Sequence, residues 1–215
     1  ATLNPTPVLN AFLSREGAAA ALTNALGATK LEAAFARHVL RSLYATGCND
    51  EKLIAALKKS AGISGKGQPY SLALVQNLVA DSKTQGDAAR GKVLAAACIA
   101  CHKFGKAGGV IGPDLTAIGT TLSADRITEE LLWPSRQVKE GYTLLQVTTK
   151  DGKLHQGFER RTKESEETGD LVMRQLAIDV IVTIKKDQIA SVQKLGSAMP
   201  AGLTTAMTRQ QQLDL

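Results

Sequence analysis

The stretch Val93-Leu94-Ala95-Ala96-Ala97-Cys98-Ile99-Ala100-Cys101-His102 decides how the chain is read. Cys98 and Cys101, with two residues between them and His102 directly after, form the C-x-x-C-H spacing of covalent c-type haem attachment. The spacing has a chemical reason. Two thiols about one helical turn apart can each add to one vinyl group of the same porphyrin. The next residue then offers an imidazole to the iron as an axial ligand.

Three other readings of these residues stand beside it. A thioredoxin-like C-x-x-C wants a βαβ context and an electropositive, partly exposed thiol, whereas this pair follows an Ala-rich helical run with no strand before it. A zinc site wants four ligands of Cys, His or carboxylate type. Only Cys48 remains as a further cysteine, far off in sequence, and there is no second C-x-x-C. The third reading is two structural cysteines that happen to precede a histidine.

The 215 residues allow one or two domains and a real core. Aromatic residues make up 4% and alanine is abundant, which favours close-packed helices over an aromatic-rich sandwich. The net charge of +6 divides into +4 over residues 1–84 and +2 over the rest. With no Lys/Arg run and no aromatic ladder, nucleic acid is not the expected partner. A mildly basic face suits an acidic redox partner or simple solvation. No apolar run reaches membrane-spanning length. The first residue is Ala1 rather than Met, and the tail stops soon after a helix start, as in a processed form or an excised piece. With two cysteines given to haem, Cys48 reads as a small buried hydrophobe rather than half of a disulfide.

Residues 1–84 read as a helical, repeat-like domain. Asn4-Pro5-Thr6-Pro7 predicts an extended lead-in, and Leu9, Phe12 and Leu13 a short helix. Leu22, Leu26, Leu31, Phe35, Val39, Leu40 and Leu43 recur at helical spacing, interrupted at Gly27 and ended by Gly47. Asn49-Asp50-Glu51 caps a third helix carrying Leu53, Ile54 and Leu57. Residues 62–69 read as a loop and 70–80 as a fourth helix, with a polar linker over 82–85. Asp87 then caps a helix running through Gly91 to the haem motif, where the glycine permits close approach of another helix. Phe104 to Gly109 reads as a glycine-rich loop. Ser123 caps a helix with Ile127 and Leu131 inward, ended by Pro134.

From Gly141 the period turns from helical to alternating. Strands are predicted over 142–149 and 153–162 around an Asp151-Gly152 hairpin, then over 171–177, 180–184 and 189–193, with 163–170 as a charged turn. This block reads as a small antiparallel sheet or barrel. Thr208 with Gln211 forms a capping box for a last helix.

The second axial position decides what the iron can do. A closed six-coordinate iron transfers electrons; an open one binds or activates a small molecule. The residues offer Met173, Met199, Met207, His38 and His155. Met173 sits in a strand pattern, Met207 beside the capping box, and His38 on an apolar helix face, all positions that packing explains. Met199, before Pro200 in an irregular loop, can present its thioether inward.

Taken together, Cys98-x-x-Cys101-His102, Gly109-x-x-Gly112-Pro113-Asp114-Leu115 and Met199-Pro200 before a terminal helix resemble a class I cytochrome c. Ile118-Gly119, Trp133-Pro134-Ser135, Gly141-Tyr142, Asp151-Gly152 and Ala198-Met199-Pro200-x-Gly202-Leu203 narrow this. They resemble the haem-binding domain found in planctomycete and verrucomicrobial bacteria, often at the end of large secreted dehydrogenase-like proteins. The resemblance covers about 86–215. It implies haem c bound through Cys98 and Cys101, His102 as proximal ligand, and the Pro113 carbonyl accepting a hydrogen bond from His102. It also implies Leu115 packed on the haem and Met199 as distal ligand. His102 and Met199 are 97 residues apart; without a β insertion at 139–194 the separation is 41, suited to a compact cytochrome.

The expected fold is therefore mostly α: a helical repeat-like domain at 1–84, then a class I cytochrome c domain at 85–215 with an inserted β subdomain at 139–194. The expected function is periplasmic or secreted electron transfer by a His/Met haem c. Its partner would be a redox protein or a fused dehydrogenase domain, and the chain itself would not be an enzyme. One alternative is a haem enzyme or gas sensor with an open distal site, for which His155 with Arg160 or Arg161 is the local acid/base candidate. Another makes the helical domain or the β block a docking module.

Overall fold

In the computed structural model the described residues are 5–48, 50–63, 69–176, 179–204 and 207–215. Four helices come first: α1 (Thr6–Leu13), α2 (Ala18–Gly27), α3 (Ala33–Thr46) and α4 (Glu51–Ser60). Then follow α5 (Leu72–Gln85), α6 (Ala88–Ala95) and a 3-10 turn at Cys98–Ala100. A two-residue hairpin, β1 (Lys103–Phe104) and β2 (Ala107–Gly108), precedes α7 (Ile118–Thr121) and α8 (Ala124–Leu132). Next are β3 (Thr143–Thr149), β4 (Leu154–Glu159), α9 (Lys163–Thr168), β5 (Leu171–Gln175), β6 (Ile181–Ile184) and β7 (Ile189–Ser197). The short α10 (Arg209–Asp214) comes last. The fold is thus mixed α/β, with a five-stranded and a two-stranded antiparallel sheet. No helix among the described residues is long and apolar enough to cross a membrane.

The chain divides into two compact units, and each is discontinuous. The first joins Ala1–Ile63 to Lys139–Ala198; the second joins Ser64–Val138 to Met199–Leu215. The insertion expected at 139–194 lies inside the later stretch of the first unit, and α5 falls in the same unit as the cysteine motif.

In the first unit, helix–helix packing follows from the leucine spacing. Leu40 and Leu43 of α3 and Leu53 and Leu57 of α4 are buried in one cluster with Cys48, and Leu13, Leu22 and Leu26 pack against it. Phe35, on the same apolar spacing, is 53% exposed instead. Asp50 caps α4 by accepting from the Leu53 amide; Asn49 lies outside the described residues. Gly47 ends α3 at φ 81°, and a Cβ there would lie 3.0 Å from Leu176 and 3.3 Å from Leu144. Only glycine gives both the left-handed turn and that approach of helix end to sheet.

The sheet order is β6-β5-β4-β3-β7, all antiparallel. Yet β6 and β7, at opposite edges, are joined by residues 185–188 alone. Four flat strand spacings cover about 19 Å, farther than a linker containing a 3-10 turn reaches. The sheet therefore curls, and its concave side collects Leu145, Val147, Met173 and Ile184 as a second buried cluster, with Ile189 against it. The α1–α2 turn extends β4: Ser14 carbonyl accepts from Leu154 N at 2.8 Å, and Arg15 bridges Lys153.

The second unit buries Leu78 of α5, Leu132 of α8 and Leu213 of α10 in one cluster. Tyr70 donates to Glu129 at 2.7 Å and stacks edge-on with Trp133, beneath the Arg136 guanidinium. Gly91 of α6 is buried, and a Cβ there would run into the Asp214 carbonyl of α10, which is the close helix approach its sequence position implies. The side chain of Asp214, 3% exposed, receives both Arg90 nitrogens at 2.7 Å, the Asp87 amide at 3.0 Å and Gln210 at 2.9 Å. These donors hold its carboxyl well below the usual carboxylate range, the Arg90 hydrogen bonds most of all.

Several expectations need correction. Pro5 is the N-cap of α1, and Thr6 and Pro7 form its first turn, because proline suits the start of a helix. The polar residues 82–85 continue α5 rather than linking domains; exposed polar side chains do not end a helix, and Gly86 does. The α6 helix stops at Ala95, and the cysteines sit on a tighter 3-10 turn. In α8 the buried residue is Leu132, while Ile127 and Leu131 are half-buried. The charged turn at 163–170 contains α9, held by a Thr162/Ser165 capping box. The loop at 104–109 contains the β1–β2 hairpin, β4 is shorter than expected, and β7 runs on to Ser197. Residues 64–68 of the loop at 62–69, and Ala177 at the end of the expected third strand, lie outside the described residues.

Two outcomes follow. Gly91→Ala should lower stability by about 1–3 kcal/mol in a denaturant titration, since the new methyl meets backbone. Asp214→Asn should lower the Tm most at neutral pH. A depressed carboxylate stabilises fully above its unfolded value of about 4 and loses that contribution as pH falls from there through the lower folded value, so the gap to wild type should begin to narrow below about pH 4 and go on narrowing as the pH is lowered further.

Candidate haem-attachment site

Ala97 leads into the 3-10 turn, and Cys98 O accepts from both Cys101 N at 3.1 Å and His102 N at 2.8 Å. This turn places Cys98, Cys101 and His102 consecutively on one tight bend, and all three are half-buried. Neither thiol is in a disulfide. Burial pushes both thiols up, and Cys101 is pushed further by its neighbour Cys98.

A second segment wraps this bend. Gly109 N donates to Ile99 O at 2.8 Å, and Gly112 N to Cys101 O at 2.8 Å. Glycine is required at both places and at Gly108. A Cβ at Gly109 would lie 2.5 Å from Ala100 O, one at Gly108 would strike His102 O, and one at Gly112 would strike the His102 ring itself. The imidazole thus stands against bare backbone. Its Nδ1 lies 2.8 Å from the Pro113 carbonyl, the pair that the resemblance implies. A carbonyl only accepts, so Nδ1 carries the hydrogen, and in the neutral ring Nε2 is then the nitrogen with the lone pair. Leu115 is half-buried two residues on, its amide donating to Lys103 O at 2.8 Å.

The surrounding side chains bear on whether a porphyrin suits the place. From 92 to 131, a span of 40 residues, no residue is buried, although eleven are large and apolar. Ile111, Leu115, Ile118, Leu122, Ile127 and Leu131 are all half-buried. Polypeptide alone leaves this segment without a core, which fits a large apolar group as its missing packing partner. The donor set fits as well: two unlinked thiols and one imidazole of fixed tautomer. Among the described residues no three His, Cys, Asp or Glu side chains gather to hold a metal ion by themselves.

Of the five candidates for the second axial position, Met199 and Met207 fall in the same unit as His102, and Met173, His38 and His155 in the other. Met173 is fully buried in the sheet cluster. His155 is half-buried, bonded through Nδ1 to Gln175 at 2.7 Å, and burial lowers its pKa. With Arg160 and Arg161 it belongs to the first unit, whereas the cysteine motif belongs to the second. Met199 is half-buried, with Ala198 between it and the end of β7, and stands directly before Pro200. Sequence reasoning missed the Asp114–Thr116–Gly105 contacts beside the site, for which the Asp-x-Thr spacing at 114–116 was the available signal.

A scan against protein-family models gives no match. Among curated proteins, too, none matches.

Before any haem is attached, Cys98 and Cys101 should alkylate slowly at pH 7, with rates still climbing beyond the ordinary thiol value of about 8.5. Peptide-resolved iodoacetamide labelling against pH checks this. A plateau below pH 8 would mark activated thiols and favour the disulfide-exchange reading.

Proposed function

We propose that this chain carries a covalently bound haem c and transfers single electrons in a periplasmic or secreted setting, as a class I cytochrome c-like domain. The observation that carries this reading is the imidazole of His102. Its Nδ1–H is engaged by Pro113 O and its ring backed by Gly112, one residue after two free thiols at thioether spacing. Bound there, haem c supplies an iron that cycles between ferrous and ferric states.

The chain's own residues do the rest. Cys98 and Cys101 would anchor the macrocycle. His102 would offer Nε2, its ring orientation held from behind. Leu115 and the half-buried aliphatic residues between 111 and 131 would exclude water, a surrounding that favours a raised reduction potential. Met199 is the residue proposed to give the iron a thioether, which would leave no open position for small molecules. Removing the whole later stretch of the first unit, 139–198, leaves His102 and Met199 separated by 37 residues, which favours this pairing. Lys92, Lys103 and Lys106 are exposed around the motif and suit an acidic redox partner or fused dehydrogenase domain.

Produced in a bacterial periplasm with haem c maturation machinery, the protein should keep its haem after denaturation and give a c-type pyridine haemochrome. Met199→Ala should abolish the near-infrared sulfur-to-iron band of the oxidised form and let the reduced form bind carbon monoxide rapidly. A colourless product with both thiols still titratable overturns the reading.

A further inference from the structure

We infer that Asp114 and Thr116 are positioning residues for the His102 imidazole: they clamp the segment after Pro113 onto the segment after His102. The inference rests on reading His102 as the haem ligand.

The contacts between the two segments form consecutive rungs. Gly109 N reaches Ile99 O, Gly112 N reaches Cys101 O, and His102 Nδ1 reaches Pro113 O. Beyond that contact, Leu115 N donates to Lys103 O at 2.8 Å. The last rung is made by a side chain, since Gly105 N donates to Thr116 Oγ1 at 2.7 Å. Thr116 is in turn held by Asp114, whose Oδ1 accepts from Thr116 N at 2.8 Å and from the Thr116 hydroxyl. The other carboxylate oxygen pairs with Lys103 Nζ at 3.5 Å. Asp114 and Thr116 therefore touch Lys103 and Gly105, the first and third residues after His102, while Asp114 directly follows Pro113.

Without these two side chains the ladder would end at the single Leu115–Lys103 rung, next to the β1–β2 turn and one step from the His102–Pro113 hydrogen bond. With them a side-chain rung lies beyond it and holds that end against fraying. The consequence concerns donor strength. An imidazole whose Nδ1–H is firmly held by a carbonyl donates more strongly through Nε2. That favours the ferric state and lowers the reduction potential. Loosening the clamp should raise it.

The test uses haem-loaded protein and reads the midpoint potential by spectroelectrochemistry. Thr116→Val removes the hydroxyl that accepts from Gly105 and should shift the potential upward. Thr116→Ser keeps the hydroxyl and should restore the wild-type value. Asp114→Ala should shift it upward as well, and Asp114→Asn, which keeps an accepting oxygen, should stay near wild type. Equal potentials in wild type, Thr116→Val and Thr116→Ser overturn the inference, as does an equal shift in both threonine variants.

Amide hydrogen exchange in the wild-type chain decides the case if a variant does not accumulate. The Gly105 and Leu115 amides should exchange more slowly than in unstructured chain, and unstructured rates overturn the clamp. If the wild type carries no covalent haem, the functional reading falls. In that event the same exchange rates still judge the clamp.

Discussion

The 2.8 Å hydrogen bond between His102 Nδ1 and the Pro113 carbonyl joins two segments that cannot meet if any of three residues gains a side chain. Gly108, Gly109 and Gly112 each approach the 98–102 bend so closely that a Cβ would overlap backbone or the imidazole. Backbone rungs at 2.8 Å then hold the wrapped segment in place. The chemistry of the bend follows from this sterically tight fit: the tautomer is selected by an oxygen that only accepts, and the ring has no room to turn toward Gly112. Around it, the aliphatic side chains of Ile111, Leu115, Ile118, Leu122, Ile127 and Leu131 stay half-buried.

The other unit buries its apolar side chains against one another. Its leucines pair at helical spacing between α3 and α4, and its sheet curls until Leu145, Val147, Met173 and Ile184 face one another. Gly47 lets the end of α3 come within van der Waals distance of Leu144 and Leu176. The two units thus differ in kind, one closed on its own side chains and the other with a 40-residue stretch that is not.

Much of this is written in local chemistry. Asp50, Ser71, Asp87, Ser123 and Thr208 each cap a helix by accepting from the amide of N3. Asp50, Asp87 and Ser123 are legible as caps ahead of a helical stretch and Thr208 through its Gln211 capping-box partner, whereas the helix expected from residue 70 overruns the Ser71 cap. Gly91 was legible as a contact point since glycine inside a helix needs a packing reason. Elements decided by longer-range forces were not legible. The polar end of α5 reads as linker because nothing local shows that the Gln85 carbonyl accepts from Gln210 of α10. The α9 helix hides in a charged run because six residues carry too few apolar positions to show a period. The pairing of 1–63 with the β block depends on contacts such as Ser14 with Leu154, which no local pattern encodes. At the site, the motif residues were plain from spacing alone, but the Asp114–Thr116–Gly105 contacts depend on how the wrapped segment lies and emerged only from the fold.

The interleaved order of the two units bears on how the chain closes as it emerges N-terminus first, from a ribosome or from an export channel. Leu78 and Leu132 emerge well before Leu213, and the entire curled sheet emerges in between. The sheet and its four helices can therefore close while the cysteine-bearing stretch still lacks its final helix. Vectorial emergence holds that stretch open until 139–198 has followed, a window in which Cys98 and Cys101 stay accessible.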